Sequence, residues 1–309
     1  MTLSSFVDLL RCPVSGQLLQ LEGDLLSTPD GRYRYPILDG GLPAFAETPE
    51  SAEARQQLSH YDRIAAAYRA NLGYPHTIEY TEYLDTCLRR ATGDGSFGVT
   101  AELCCGHGEA VSLFGTRMTR GIGLDISPKM LKLARSDHSA ANLCFVQGDA
   151  TALPLAPSSF DTVFMLGGIH HVPDRQRLFS EVARILKPGG RFIFREPVSD
   201  FWPWRFLRSI VYRLSPTLDH ENERPLRLSE TAPPLTSAGL QLVHWTTHGF
   251  LGFCIFMNSD VLFFNRFFRF IPGIRGITRA AARFDEAFLS IPGFTGRGLQ
   301  AVGCATKIG

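Results

Sequence analysis

The 309-residue sequence has no uninterrupted apolar run long enough to cross a bilayer as a helix, which takes about 20 residues. Its first residues, Met1-Thr-Leu-Ser-Ser-Phe6, lack the basic and apolar blocks of a secretory signal, so a cytoplasmic location is expected. An excess of either charge is also missing, with 31 Lys and Arg against 30 Asp and Glu. A net charge of +1 exerts no general pull on nucleic acid, and no nucleic-acid partner is expected. Cysteine is scarce: there are seven, an odd number, and Cys104 and Cys105 are adjacent. Reduced thiols fit this usage better than a disulfide framework. Cys12, in Cys12-Pro-Val-Ser-Gly16, has no second thiol close by. A tetrahedral zinc site needs about four ligands, so no metal is expected. No internal repeat or low-complexity tract is evident. Hydrophobic residues make up 44% of the chain, enough for a sizeable core with additions around it.

The texture changes along the chain. Residues 1–46 are turn-rich and alternate with short strand-like runs, which predicts a small separate module. Residues 47–95 read as a polar linker containing Pro49, followed by helices. Ile64, Ala67 and Tyr68, and then Tyr80, Tyr83, Leu84, Cys87 and Leu88, recur at helical spacing. Residues 96–200 alternate between strands and helices, with strands expected at 98–103, 120–125, 143–147, 161–166 and 191–195. Such alternation predicts an α/β fold with a mainly parallel sheet covered on both faces. Residues 201–309 form a last region. Within 201–283 there are ten Arg, no Lys and five acidic residues, interleaved with Trp and Phe. Strands are expected there at 240–243 and 298–307, with 250–257 a further candidate.

The most informative stretch is Val99-Thr-Ala-Glu-Leu-Cys-Cys-Gly-His-Gly-Glu109. A strand ends in an acid, a turn of small residues follows, and a helix begins. Twenty-three residues after Glu102, the next strand ends in Gly123-Leu-Asp125. Such a loop lets backbone approach a ligand closely, and an acid after the following strand can hold a ribose, which points to a nucleoside ligand. Ser127-Pro128 then starts a helix by capping and by proline's preference for the first helical position. Three further pieces follow in order: Gln147-Gly-Asp149-Ala150, Ser159-Phe-Asp161 leading to Gly167, and Leu186-Lys-Pro-Gly-Gly190.

This ordered set resembles the class I S-adenosylmethionine-dependent methyltransferases over about residues 58–200, and more weakly over the last strands. The resemblance implies a doubly wound sheet of seven strands, a helical lid insertion and S-adenosyl-L-methionine as cofactor. It assigns Glu102, Cys104, Gly106 and Gly108 to the cofactor loop and Asp125, with Ile126, to the ribose. Asp149 is matched to the adenine amino group and Ala150 to the ring face, with Leu166 in the same cleft and Tyr61 on a helix folding over the cofactor. Where the family has its first loop glycine this chain has Cys104, so a side chain intrudes where bare backbone normally meets the methionine end. Residues 1–46 resemble a Trm112-like module without its zinc cysteines.

Gly168-Ile-His-His-Val172 follows the fourth strand of this core. Either His170 or His171 takes a proton from an acceptor hydroxyl, or the pair only packs and positions. Glu196 is a lesser catalytic candidate, and His107 is expected to shape the glycine loop. Asn258-Ser-Asp260 can cap a helix through residue 270 that sets Asn265, Arg266 and Arg269 on one face and phenylalanines on the others. Arg275, Arg279 and Arg283 then recur opposite Ile274, Ile277, Ala281, Phe284 and Phe288. Trp202, Trp204, Arg205, Phe206 and Arg208 form a third cluster of this kind. These helices are either a lid whose phenyl rings line an apolar acceptor pocket or a membrane-surface contact. The expected reaction is methyl transfer to a hydrophobic small molecule, such as a lipid, a quinone-like compound or a polyketide-type metabolite. Two readings compete with it: an RNA or translation-factor methyltransferase, suggested by the N-terminal module, and a cofactor-binding member that transfers no methyl, suggested by Cys104.

Overall fold

A computed structural model describes residues 3–38, 41–46, 55–56, 58–59, 70–206, 224–257 and 263–309. Tyr61, Tyr68 and Arg208 lie outside the described residues, as do Asn258, Ser259 and Asp260. The first strands, β1 (Gln20–Glu22), β2 (Leu25–Ser27), β3 (Arg34–Leu38) and β4 (Leu42–Pro43), make a small antiparallel sheet in sequential order. Helix α1 (Pro75–Thr92) follows, with proline at its start and Gly93 at its end. The core then alternates: β5 (Gly98–Leu103), α2 (Glu109–Phe114), β6 (Met118–Asp125), α3 (Pro128–Asp137), β7 (Leu143–Gln147), β8 (Phe160–Leu166), α4 (Arg175–Ile185) and β9 (Leu186–Pro197). The remainder is α5 (Leu228–Ser237), β10 (Leu240–His248), α6 (Leu251–Phe256), a 3-10 helix (Phe263–Phe270), α7 (Ile274–Leu289) and β11 (Gln300–Lys307).

Seven of these strands form one sheet in the order β10-β11-β9-β8-β5-β6-β7. β5 to β9 pair in parallel, and β11 is antiparallel to both of its neighbours. The strand order reverses between β5 and β8, so the binding crevice lies beyond the carboxyl ends of those two strands. Their runs are apolar because helices cover both faces. Phe97, Phe114 and Phe164 pack with ring centroids 5.0–5.4 Å apart on one face. Val163, Met165, Phe192 and Phe194 belong to the larger cluster on the other face. Gly303 on β11 leaves no room for a Cβ, because the Phe194 ring occupies that position. The caps are those the residues favour: Ser127 accepts the Met130 amide at 3.2 Å, and Asp174 accepts that of Arg177 at 2.9 Å.

The N-terminal module docks on the open edge of β7. Ala44 bridges Gln147 in parallel, and the Phe45 amide donates to the Gln147 carbonyl at 2.9 Å. The buried Gln147 side chain completes the joint. Its Oε1 accepts the Ala46 amide at 3.0 Å, and its Nε2 donates to the carbonyls of Ala46 and Ile126 at 2.5 and 3.1 Å. Leu42 packs with Cys105, Leu131, Ala134 and Phe145. All seven cysteines are free thiols.

Two expectations change in the last region. Residues 251–256 form helix α6 and not a strand. Its start is capped from a distance by Asp285 of α7, which accepts the amides of Phe250, Gly252 and Phe253 at 2.8, 3.1 and 3.2 Å. The face assignment of the arginine-rich helices is also reversed in part. Asn265 is fully buried, and its Nδ2 donates to the carbonyls of Ile255 and Met257. Ile277 and Phe284 point outward, while Thr278 and Asp285 face the interior. Helical spacing defines two faces but does not say which one meets the core. No helix among the described residues is long and apolar enough to cross a membrane.

Asp285 also accepts the Tyr80 hydroxyl at 2.5 Å, so one carboxylate ties α1, α6 and α7 together. Asp285→Ala leaves that hydroxyl and three buried amides without their acceptor, a cost of about 3 kcal/mol or more. Thermal unfolding should shift down by roughly 6 °C or more. A shift under 2 °C (roughly the effect of 1 kcal/mol or less) would show that the joint does not hold the insertion in place.

Candidate active site

The loops at the carboxyl end of the sheet are held by acids, of which Glu102, Asp125 and Glu196 are buried and Asp149 is half-buried. Glu102, on β5, accepts the amides of Ala110 and Val111 at 2.7 and 3.1 Å. Burial pushes its carboxyl up to about 8, against the pull of those two amides. Both oxygens are turned to the start of α2, so Glu102 supports the glycine loop from beneath. Asp125, at the end of β6, accepts the Gly106 amide on one oxygen at 2.8 Å and the Ser127 amide on the other at 2.9 Å. A carboxylate has about four lone-pair positions, so each oxygen retains capacity for a hydroxyl. Asp149 accepts the Thr151 amide and hydroxyl on one oxygen at 2.7 and 2.8 Å. Ala150 beside it and Leu166 at the end of β8 are buried, and Ile126 is half-buried.

Within the loop, Gly106 and Gly108 have φ of +52° and +87°, which suits residues without a Cβ. Cys104 adopts φ +50° with a side chain, a left-handed conformation that costs about 1 kcal/mol or more. Burial pushes its thiol well above the ordinary range, so it is a neutral packing group. Its Cβ would lie 2.7 Å from a Cβ built on Gly168, so the loop and the 167–171 turn touch. His107 presents its carbonyl to a ring nitrogen of His138 at 3.2 Å, consistent with a loop-shaping part.

The 167–171 turn is organised by Glu196. This fully buried carboxylate accepts the amides of Gly168, Ile169 and His170 at 2.7, 2.8 and 3.3 Å. It also faces His170 Nδ1 at 2.7 Å. Burial pushes Glu196 up to about 7, with the amides and the nearby His171 working in the opposite direction. With Nδ1–H donated to Glu196, the lone pair of His170 sits on Nε2. The His171 ring lies 3.8 Å from that of His170, centroid to centroid. The expected catalytic trio is therefore brought together, with Glu196 holding His170. No atom lies within 4 Å of a Cβ built on Gly167, so there is open space above this turn.

Two supports escape a reading of the motifs. Gln147 stands within a recognised motif, but its work depends on residues about a hundred positions away. Arg195 is buried beneath the site, bonded to Asp85 at 2.8 Å and paired with Glu109. It ties the first turn of α2 to β9. No local pattern marks it.

Strand order, glycine loop and strand-end acids define a class I methyltransferase fold. Residues 101–194 match the family model described as "Methyltransferase domain", Methyltransf_11, and the chain carries a class I S-adenosylmethionine-dependent methyltransferase domain. Among curated proteins, a "Probable phthiotriol/phenolphthiotriol dimycocerosates methyltransferase 2" of Mycobacterium ulcerans is 35% identical over 56% of this chain and 66% of its own length. A demethylmenaquinone methyltransferase of Lactococcus lactis is 38% identical over 30% of this chain and 39% of its own length. The matches thus span less than two thirds of these relatives. Among solved structures, the [4+2]-cyclase SpnF superposes with TM-score 0.55 at 18% identity, covering 83% of this chain and 97% of that one. At that identity the likeness concerns the fold alone.

Cys104→Gly removes the left-handed strain and the intruding side chain together. We expect the variant to be more stable by up to about 1 kcal/mol. Its affinity for S-adenosylhomocysteine should be equal or higher by calorimetric titration. A sharp loss of affinity with unchanged unfolding would give the thiol a specific part in the site.

Proposed function

We propose that this protein is an S-adenosylmethionine-dependent methyltransferase whose acceptor is a hydrophobic small molecule of lipid or quinone type, met at a membrane surface. The observation that carries this reading is the contact between the glycine loop and the turn bearing the His170–Glu196 pair. The names of the curated relatives support the acceptor class.

The residues present fit the cofactor. Bare backbone at Gly106 and Gly108 leaves the loop open to close approach. The Asp125 oxygens can accept ribose hydroxyls while keeping their amides. The remaining oxygen of Asp149 and the Ala150 amide suit the adenine edge. When bound, the cofactor supplies an electrophilic sulfonium methyl group, so catalysis rests mainly on alignment. His170 Nε2 is the group to receive the acceptor's proton as its oxygen takes the methyl, and Glu196 fixes the ring that receives it. Below the range near 7 the buried carboxyl is protonated and the pair cannot serve as a base.

Three measurements test this. Asp125→Ala should weaken S-adenosylhomocysteine binding by at least about tenfold, the worth of one charge-assisted contact. With total lipid extract and methyl-labelled cofactor, label should enter an organic-soluble product. That transfer should fall roughly a hundredfold or more in His170→Ala. For the wild type, kcat/KM should rise with pH through about 7 and level off above it, and Glu196→Gln should flatten that limb. Cofactor binding without transfer to any apolar acceptor would leave a non-methylating binder as the reading. An unaltered pH profile in Glu196→Gln would remove the pair from the chemistry.

A further inference from the structure

β10 runs parallel to β9, because β11 is antiparallel to both. The segment between β10 and β11 therefore leaves the sheet at the carboxyl end, the end that carries the glycine loop and His170. Its outer surface carries large apolar side chains. In the 3-10 helix, Asn265 is fully buried while Phe267 and Phe270 are 69% and 68% exposed. In α7, Thr278 and Asp285 are fully buried while Ile277 and Phe284 are about half exposed, at 49% and 53%. Two successive elements thus bury polar residues, in α7 alongside Ile274, Ala282 and Leu289, and present large apolar side chains outward among arginines. Scattered exposed hydrophobics need no explanation, but an exposed run of phenyl groups on consecutive elements marks an interaction surface.

Arginine dominates the charge of this segment; of the two acids that follow on α7, Asp285 is buried and Glu286 is paired with Arg90 of α1 at 2.6 Å. Residues 263–284 contain five arginines and no Lys, Asp or Glu. Arg279 is paired with Glu79 of α1 at 2.7 Å. Arg269 lies over the Phe270 ring at 4.7 Å and over that of Tyr74 at 5.1 Å, so its charge sits beside an exposed phenyl. Arg275 and Arg283 are exposed on α7. A second copy of this chain is a poor occupant, because a two-fold contact would set this cationic surface against itself. Nucleic acid would leave the phenyl and isoleucine side chains unsatisfied. Phenyl groups flanked by arginines match the acyl boundary and the headgroups of an anionic bilayer.

We propose that the outer face of residues 263–284 is a docking surface for anionic membrane, with Phe267, Phe270, Ile277 and Phe284 entering the interface and Arg269, Arg275 and Arg283 meeting lipid phosphates. Its value for catalysis rests on the lipid-like acceptor proposed above. Docking by this face sets the methyl-transfer end of the sheet toward the bilayer.

Co-sedimentation of the full chain with phosphatidylcholine vesicles, with and without phosphatidylglycerol, tests the surface without any acceptor. Wild-type protein should sediment with the anionic vesicles, and binding should fall as salt rises. Phe267→Ser/Phe270→Ser should lower the partition coefficient roughly tenfold or more on anionic vesicles. Arg275→Gln/Arg283→Gln should weaken binding to anionic vesicles and blunt the salt dependence. Calorimetric titration with S-adenosylhomocysteine should give wild-type affinity for both variants, which shows that they are folded and separates this test from that of the methyltransferase reading. Wild-type protein that ignores both vesicle types would overturn the proposal. So would unchanged binding by the double serine variant, or a wild-type dimer that the same variant dissociates.

Discussion

Buried carboxylates that accept main-chain amides are the constraint on which the rest of this structure depends. Glu102, Asp125 and Glu196 stand at or next to the carboxyl ends of three parallel strands, and each takes two or three amides: Glu102 from the start of α2, Asp125 from Gly106 and Ser127, and Glu196 from the turn after β8. A loop at the rim of a parallel sheet has donors that no neighbouring strand can satisfy. An acid at the strand end resolves this and fixes the loop's path by geometry. Asp285 does the same work between α7 and α6. The acids differ in what remains on them afterwards. Glu102 is turned wholly inward, Asp125 retains acceptor capacity toward the cleft, and Glu196 adds a histidine ring to its amides. One device therefore yields a loop support, an acid at the cleft and a carboxylate paired with a histidine ring.

How much of this was legible varied with the range of the interaction. The five parallel strands lie within a few residues of where their apolar runs place them, except that β9 begins earlier because Leu186 pairs with Phe160, with a register shift across the Lys-Pro-Gly-Gly turn. Asp125 and the glycines are readable because loop and acid are separated by only one helix and one strand. Residues 251–256 are not, since a short apolar run suits a strand or a helix equally. What decides it is Asp285, about 30 residues later, which satisfies three amides at the helix start. Gln147 and Arg195 were hidden for the same reason. The orientation of residues 263–284 is legible only in part: Ile274 is buried and Arg275, Arg279 and Arg283 are exposed as the pattern suggests, but the burial of Asn265 and Thr278 and the exposure of Ile277 and Phe284 cannot be read from an arginine-and-phenylalanine pattern.

Cys104 is the point where local preference is overridden. A left-handed residue with a side chain persists only where its surroundings determine it. Here the loop is fixed by Asp125 at Gly106, by Glu102 at the start of α2 and by the Arg195–Glu109 pair beyond. The side chain fills the space against Gly168, which itself has no room for a Cβ. Strain in the loop and packing against the histidine turn are thus two sides of one contact, and it is the contact that joins the glycine loop to the turn bearing His170 and His171.

The two edges of the sheet are treated differently, and this gives the cleft its asymmetry. An open edge strand invites pairing with other chains. At β7 the edge is covered by residues 44–46, and Gln147 passes that attachment on to Ile126, one residue past Asp125. The Asp125 side of the cleft is therefore braced from both sides of its strand. At β10 the edge is open but irregular, with a break in register between Leu242 and His244 that leaves Val243 exposed. The segments beyond β10 are attached to α1 through Tyr80 and Asp285 and are not bonded to the glycine loop in any contact described. The side that would meet a cofactor is consequently fixed by main-chain pairing, while the side that would meet an acceptor is held through side chains: the buried Asp285 carboxylate, the Arg279–Glu79 and Arg90–Glu286 pairs, and aromatic packing. A rigid nucleoside half beside a separately anchored apolar half is the arrangement that lets acceptor entry adjust without loosening the alignment on which methyl transfer depends.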